Sequence, residues 1–337
     1  MIEAGTATTT RGGPGRFRWR YLRILAFFAP VALGIILWDI VLRAVGLGRI
    51  ARRTAQARYR RVAQRYRWLA TRLGGVWIKV GQFLSARVDV LPEVITAELS
   101  GLQDEVAPEP AAAMRRVIEA EMGMPVDQIF DAFEDLPLAS ASLGQVHRAR
   151  VGDQQVVIKV QRPDIRELLE VDLAALRVVV GWLQHYPPVA RRADLDALVA
   201  EFSRTLWAEV DYIAEAENAR RFGKMFEADP GVRVPGVLDR YSTRRVLTLE
   251  DVYAIKITDY AAMEAAGIRR DEVAQRLFRT YLRQIFEDGF FHADPHPGNL
   301  FVDPNGASGW RLVFVDFGMV GRLSERMRKG LRDAVIG

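Results

Sequence analysis

The 337-residue sequence predicts an α+β protein of two lobes set behind an N-terminal helical extension. Three observations predict it. Apolar residues recur at helical spacing from Arg49 to about Ser100. Two strand-like runs, Pro137–Arg150 and Gln155–Gln161, meet at the turn signal Gly152-Asp153. A second short strand pair, Leu300–Val302 and Leu312–Val315, flanks Asp303-Pro304-Asn305-Gly306, a run rich in turn formers. Half of the residues are apolar, enough to bury such a core in a chain of this length.

Residues 1–15, with Thr8–Thr10 and Arg11–Gly15, carry no period and read as a flexible tail. Residues 16–48 hold the apolar run Ile24–Leu42, with Pro30 inside, Trp38 near one end and Asp39 as its single charge. The run is close to the roughly 20 residues that a bilayer span requires. No small-residue cleavage site follows it, which argues against a secretion signal. Instead the chain continues into ten arginines between Arg43 and Arg72 with no acidic residue among them. If the run spans, this arginine load puts everything downstream in the cytoplasm; if it only dips in, the arginines favour anionic headgroups. The expectation is a membrane-associated chain with its catalytic part on the cytoplasmic side and an anionic membrane lipid as partner. A buried core helix followed by a solvated charged one is the alternative. Nucleic acid is disfavoured, because no recognised binding motif accompanies the arginines.

The extension continues over residues 49–134, with Pro92 marking a break and a further helix expected from Pro110 to Glu134. Residues 135–255 form the first lobe: the hairpin, helices over Asp164–His185 and Asp194–Phe222, and strands at Val232–Val237 and Arg245–Leu249. Residues 256–337 form the second, with a helix over Arg270–Asp288 and the late strand pair. There are no cysteines, which removes disulfides, thiolate metal sites and cysteine nucleophiles. The net charge of +5 reflects the arginine run.

Chemistry concentrates in His292-Ala293-Asp294-Pro295-His296-Pro297-Gly298-Asn299 and in Val313-Phe314-Val315-Asp316-Phe317-Gly318. Phosphoryl transfer needs a carboxylate near the attacking hydroxyl or water, and oxygen ligands that hold magnesium against the phosphates. Asp294 can supply that carboxylate, while Asn299 and Asp316 can supply the magnesium ligands. Their spacing matches the catalytic loop and the Asp-Phe-Gly element of protein kinases. The rival reading is a zinc site on His292-x-Asp294-x-His296, against which Pro295 and Pro297 disfavour the regular strand that would align the three side chains.

Lys159 stands alone in the apolar run Val156–Val160, where an unpaired ammonium is costly, so it needs an anion. The helix expected over Asp194–Phe222 offers Glu209-Val210-Asp211-Tyr212 and Glu215, with Asp211 and Glu215 four apart on one face. A kinase holds its strand lysine on the nucleotide phosphates through such a helix glutamate. The plainer alternative has Lys159 reaching solvent from an edge strand and Glu215 as a solvated helix charge.

With these residues the chain resembles the UbiB/AarF family of atypical protein-kinase-like proteins over about Ala70–Gly321. Lys79-Val80-Gly81-Gln82 matches its Lys-x-Gly-Gln motif, and Leu138-Ala139-Ser140-Ala141-Ser142-Leu143-Gly144-Gln145-Val146-His147 matches its alanine-rich nucleotide loop. Glu209, Asp211 and Glu215 match its acidic helix, and His292–Asn299 its catalytic segment. The resemblance implies a two-lobed protein-kinase-like fold that uses ATP and Mg2+. It further implies that Lys79 lies in the active site near Glu209 and Asp211, that Gln82 belongs to the same motif, and that the extension covers the peptide site of an ordinary protein kinase. Ala139, Ser140, Ala141, Ser142 and Gly144 are then the nucleotide loop, and Glu250 sits where a hinge presents backbone groups to adenine. His147 is expected to be structural. The inherited context is isoprenoid-quinone biosynthesis, with a quinone or isoprenoid lipid as ligand.

After Asp316-Phe317-Gly318 only Met319–Gly337 follow, so the C-terminal lobe is expected to be truncated, leaving apolar surface for a protein partner or a missing segment. Three functions fit these features: a membrane ATPase or small-molecule or lipid kinase, a nucleotide-sensing pseudokinase, and a phosphotransferase of the aminoglycoside or choline kinase type.

Overall fold

Proline at a first helical position loses no hydrogen bond, and Pro14 opens the first helix, so the described chain is helical from its start. The computed structural model describes residues 14–336 apart from 86, 88, 90, 103–105, 187–190, 192–193, 253 and 307–308. The tail expected over residues 1–15 lies outside them except for Pro14 and Gly15, which are already helical. The chain divides into two compact units, the first made of Met1–Val106, Ala141–Leu143 and Asp164–Leu206, the second of Ala107–Ser140, Gly144–Pro163 and Trp207–Gly337.

The first unit is helical. Helix α1 (Pro14–Ile35) runs into a π-helical turn (Ile36–Val41) and α2 (Leu42–Ala44), followed by α3 (Gly48–Leu73), α4 (Val76–Ser85), α5 (Glu93–Leu99), α8 (Ile165–Leu183) and α9 (Leu195–Glu209), which belongs to this unit as far as Leu206. Among the described residues one helix, Gly15–Val41, is long and apolar enough to cross a membrane. Its inner side is packed: Ile24 is fully buried, and the Phe28 ring lies 5.4 Å from Trp77 and 6.2 Å from Tyr66. Arg20 reaches Asp172 of α8 with two nitrogens, each at 2.6 Å, on a carboxylate with no exposed surface. Within α4, a side chain on Gly81 would collide with Leu102, its Cβ lying 2.2 Å from Leu102 Cδ1, while Gln82 donates to the Leu102 carbonyl at 3.3 Å. The Gly-Gln of the Lys-x-Gly-Gln motif thus docks the chain around Leu102 onto α4.

The second unit begins with α6 (Ala111–Met122) and α7 (Val126–Ile129). The single helix expected over Pro110–Glu134 is wrong: Gly123 takes a left-handed conformation at φ 75° and ends α6 two residues before Pro125. A five-stranded sheet follows in the order β1 (Ala132–Phe133), β3 (Gly144–Val151), β4 (Gln154–Gln161), β6 (Val246–Glu250), with β2 (Ala139–Ser140) also paired to β3. The strand expected over Pro137–Arg150 is therefore broken between Ser140 and Gly144. Alternation along β4 sends Val156, Ile158 and Val160 into a core with Met114, Val117 and Ile118 of α6. Val157 and Lys159 point the other way, toward α10 (Tyr212–Met225).

The remaining strands are β5 (Val232–Arg233), β7 (Ile255–Lys256), β8 (Phe290–His292), β9 (Leu300–Gly306), β10 (Gly309–Phe314) and β11 (Val320–Arg322). The strand expected over Val232–Val237 shortens to its first two residues. A four-stranded sheet runs β5-β10-β9-β7, and β8 pairs with β11 so that His292 stands opposite Val320. Helices α11 (Tyr260–Ala265), α12 (Arg270–Arg283, extended by a π-helical turn to Asp288) and α13 (Glu325–Ile336) complete the unit. Its core packs the Phe222 ring, tilted, against Phe226, Phe314 and Phe317 with centroids 5.1–5.2 Å apart.

Candidate active site

The long helix expected over Asp194–Phe222 is two helices, α9 and α10, because Asp211 leaves helical geometry at φ −105°, ψ 81°. Its carboxylate accepts from the Ala214 N–H at 3.1 Å, the bond of an N-cap. Asp211 and Glu215 therefore do not share a helix face: Asp211 caps α10 at its exposed end, while Glu215 is 2% exposed one turn in.

Glu215 meets the lysine of β4. Lys159 Nζ lies 2.8 and 2.9 Å from its two carboxylate oxygens and 3.1 Å from Asp316 Oδ2. The alternative of a lysine reaching solvent and a solvated Glu215 is thereby overturned. Tyr212 places its ring 5.3 Å from the same ammonium. Burial pushes the Glu215 carboxyl up to about 7, although Lys159 pulls it back. Burial acts on Asp316 in the same direction, but the ammonium and the Gly318 N–H outweigh it and hold that carboxyl below its usual range. Lys159 is raised, because its two carboxylates overcome the cost of burial.

Asp316 sits in the left-handed region at φ 61°, a strained conformation for a non-glycine residue. Its neighbours fix it there. Buried His292 points Nε2 at the carbonyls of Asp316 (2.8 Å) and Val315 (3.2 Å); carbonyls only accept, so Nε2 carries the proton. Phe317 is buried against Phe222 and His292, and Asn218 donates to its carbonyl at 3.1 Å. A Cβ on Gly318 would stand 3.3 Å from Asp316 Oδ1, 3.8 Å from Glu215 Oε2 and 4.0 Å from Glu209 Cα, so the Glu209 backbone belongs to this cluster.

The catalytic segment is tied to the same place. Val315 N–H donates to the Asn299 carbonyl at 3.0 Å, and Ala293 N–H to the Met319 carbonyl at 3.0 Å. Asn299 Nδ2 donates to Asp294 Oδ2 at 2.8 Å, which orients that carboxylate and turns the amide oxygen of Asn299 away from it. Asp316 and Asn299 present hard oxygen donors, the type that magnesium takes, and so fit the ligands expected of them. The zinc reading has no support: His292 is committed to backbone carbonyls, His296 Nδ1 accepts from the Gly298 N–H, and among the described residues no group of three His, Asp or Glu could hold a metal.

In the nucleotide loop, Ala139 and Ser140 pair with Val146 and Gln145, and Ser140 Oγ accepts from Arg162 at 3.0 Å. Gly144 is required by packing: a Cβ there would lie 2.6 Å from Tyr212 Oη and 2.8 Å from the Val160 carbonyl. His147 is structural, as expected; its ring stacks on Phe133, donates from Nδ1 to the Glu134 carbonyl at 2.9 Å, and is held by burial below the usual imidazole range. The Glu250 side chain is bound to Arg233 at 2.5 Å, and its N–H donates to the Gly236 carbonyl at 2.8 Å. Lys79, Gln82, Ala141 and Ser142 belong to the first unit, where Lys79 is half-buried on α4. Tyr212, Asn218 and the carbonyl role of His292 had no sequence signal beyond their proximity to the motifs.

The ABC1 atypical kinase-like domain family matches residues 101–337. Among curated relatives, the chloroplastic Protein ACTIVITY OF BC1 COMPLEX KINASE 8 of Arabidopsis thaliana is 45% identical over 268 residues, 79% of this chain and 35% of its own length. A Sodalis glossinidius protein named Probable protein kinase UbiB is 37% identical over 278 residues, 82% of this chain and 51% of its own. Among solved structures, Rv3197 of Mycobacterium tuberculosis, in complex with erythromycin, is 30% identical with a TM-score of 0.52, covering 82% of this chain and 67% of that one. The chain thus spans between about a third and a half of the length of these curated relatives. Taken with the strand lysine, its buried glutamate and the Asp-Phe-Gly aspartate, the match over most of its length makes the chain a member of the ABC1 atypical kinase-like family.

Proposed function

We propose that this chain binds MgATP and transfers or hydrolyses its terminal phosphate at a membrane surface, acting on a small molecule or lipid rather than a protein. The observation that carries this reading is the Lys159 ammonium shared by Glu215 and Asp316, with the Asp294–Asn299 pair hydrogen-bonded to the same segment. Lys159 orients the nucleotide phosphates, and Glu215 keeps the lysine in place. Asp316 and Asn299 would hold magnesium, which supplies charge neutralisation on the phosphates when bound. Asp294 takes the proton of the attacking hydroxyl or water, in a rotamer fixed by the Asn299 amide.

The resemblance to the UbiB/AarF family supports isoprenoid-quinone biosynthesis or related lipid handling as the setting, and relatives bearing the UbiB name are in line with that resemblance. The helix Gly15–Val41 and the arginines after it support membrane association on the cytoplasmic side. The test is ADP release from MgATP by the purified chain, with and without anionic liposomes, beside Asp316→Asn. Turnover that liposomes raise and the variant abolishes supports the reading. Binding of MgATP without turnover makes the chain a nucleotide-sensing switch instead, and an Asp316→Asn variant with normal turnover sinks both.

A further inference from the structure

In the first unit α1 and α3 run antiparallel, because contacts step in opposite directions along them. Asp39, in the π-helical turn after α1, meets Arg58 at 3.1 Å and Tyr59 at 3.3 Å, while earlier in α1 Phe27 lies 5.8 Å under Arg65 and Phe28 6.2 Å from Tyr66. Among the described residues, the middle of the membrane-length helix is therefore alongside Arg65 and Tyr66, within the arginine run. Arg60, Arg61 and Arg65 are exposed there. A spanning α1 would carry these guanidiniums into hydrocarbon, where arginine is among the costliest residues.

Nor is α1 free to leave α3 and insert alone. Its inner side holds the buried Arg20–Asp172 pair, Ile24 and the Phe28 ring packed against Trp77. Its outer side is different: Trp19, Leu22, Leu33, Leu37 and Ile40 are exposed and fall on one stripe at helical spacing. Asp39, the single acid of the apolar run, is buried on Arg58, so it puts no negative charge on that surface. Between the helices, Phe27, Trp68, Gln64, Arg61 and Arg65 line a groove of about 430 Å³, which offers aromatic rings and guanidiniums together. That is the chemistry of an anionic phospholipid, a phosphate joined to acyl chains.

We infer that the α1–α3 hairpin is a monotopic anchor. It lies in the plane of an anionic leaflet, with the α1 stripe in the acyl layer and Arg61 and Arg65 at lipid phosphates, and both ends of α1 stay on the same face of the membrane. The inference rests on the membrane association proposed above, but it rejects the span.

The absence of cysteine makes the topology testable in the full chain. Thr8→Cys and Val45→Cys, the latter at an exposed position in the turn between α2 and α3, expressed separately, are treated with an impermeant maleimide in sealed membrane vesicles before and after lysis. Labelling of both from the same side is the expected result, and labelling from opposite sides overturns the inference while leaving membrane association standing. In parallel, Arg61→Gln/Arg65→Gln should lower binding to phosphatidylglycerol vesicles on the order of tenfold, with circular dichroism unchanged. Unchanged binding by that variant overturns the lipid contact. Failure of the unmodified chain to bind vesicles of either phosphatidylglycerol or phosphatidylcholine overturns the anchor and the membrane reading together.

Discussion

Lys159 Nζ bridges both carboxylate oxygens of Glu215, at 2.8 and 2.9 Å, and still reaches Asp316 Oδ2 at 3.1 Å, so one ammonium serves two carboxylates from elements 56 and 157 residues away. With both carboxylates ionised, one positive and two negative charges leave the trio with a net negative charge. Glu215 is 2% exposed, whereas 42% of the Asp316 side chain faces solvent. The structural partner is thus the buried one, and the aspartate is the one turned outward, where a cation and a phosphate can reach it.

Removing the ammonium should expose this asymmetry. Lys159→Met strands Glu215 in a dry site, and the carboxyl must then take up a proton to persist. The expected cost at pH 8 is on the order of 2 kcal/mol, shrinking at pH 5.5, where Glu215 is already protonated. Lys159→Met/Glu215→Gln should recover most of the loss. Urea denaturation at the two pH values measures all three; a loss independent of pH would place the lysine's contribution in packing instead.

Glu215 also sets a pH window for the nucleotide-free chain. Its folded pKa of about 7 lies above the usual 4.5, so the native state holds this proton more tightly than the unfolded one. Stability from that proton is fully present below 4.5 and is lost as pH rises through about 7. Asp316 works in the opposite sense: its pKa is lowered from 3.8, so its contribution is present above 3.8 and is lost as pH falls. Glu215→Gln should flatten the stability profile between pH 4.5 and 7 while leaving the acid limb below pH 4 in place. An unchanged slope in denaturant titrations across that window would remove the proton from Glu215.

What could be read from the sequence depended on how local the signal was. Lys159 in an apolar strand, Asp294 with Asn299, and Asp316 before Phe-Gly are recognisable within a few residues, and their joint placement in the second unit follows from strand pairing. The break between α9 and α10 was hidden because the apolar period runs through Val210, and only the Asp211 cap on Ala214 reveals it. Gly123 with Pro125 was a stop signal present in the sequence that the period of α6 obscured. Arg20 with Asp172, 152 residues apart, left no sequence trace at all.

Gly144 tests whether a glycine in the nucleotide loop answers to phosphate or to packing. Its missing Cβ makes room for the Tyr212 hydroxyl and the Val160 carbonyl. Gly144→Ala should cost about 1–3 kcal/mol. Tyr212→Phe in that background should restore only part of it, because the Val160 carbonyl remains. Thermal denaturation without nucleotide decides: a Gly144→Ala chain as stable as its parent would return this glycine to the phosphates alone.

Asp211 carries a cap and, by family resemblance, a role at the site. The cap predicts that Asp211→Ala loses about 1 kcal/mol and that Asp211→Ser, which can also cap, regains it. MgATP affinity separates the two roles: if Asp211→Ser restores stability but not the nucleotide-induced rise in melting temperature, the carboxylate acts at the site as well. Recovery of both by serine would reduce Asp211 to a cap.

Arg20 and Asp172 form the buried pair that fastens α1 to α8 through two 2.6 Å bonds. Burial raises the Asp172 carboxyl above its usual range even with the guanidinium beside it, so the arginine only partly offsets the cost of burying that acid. Arg20→Gln leaves the carboxylate without its counter-charge and should cost about 3 kcal/mol near neutral pH. Asp172→Leu on its own strands the guanidinium, but Arg20 is 16% exposed and can turn toward water, so the loss should be smaller. Arg20→Leu/Asp172→Leu, which removes both charges, should lie closest to the parent. Urea melts of the three variants fix the order, and a double variant less stable than Arg20→Gln would mean that the pair itself, rather than relief from an unpaired acid, holds α1 in place.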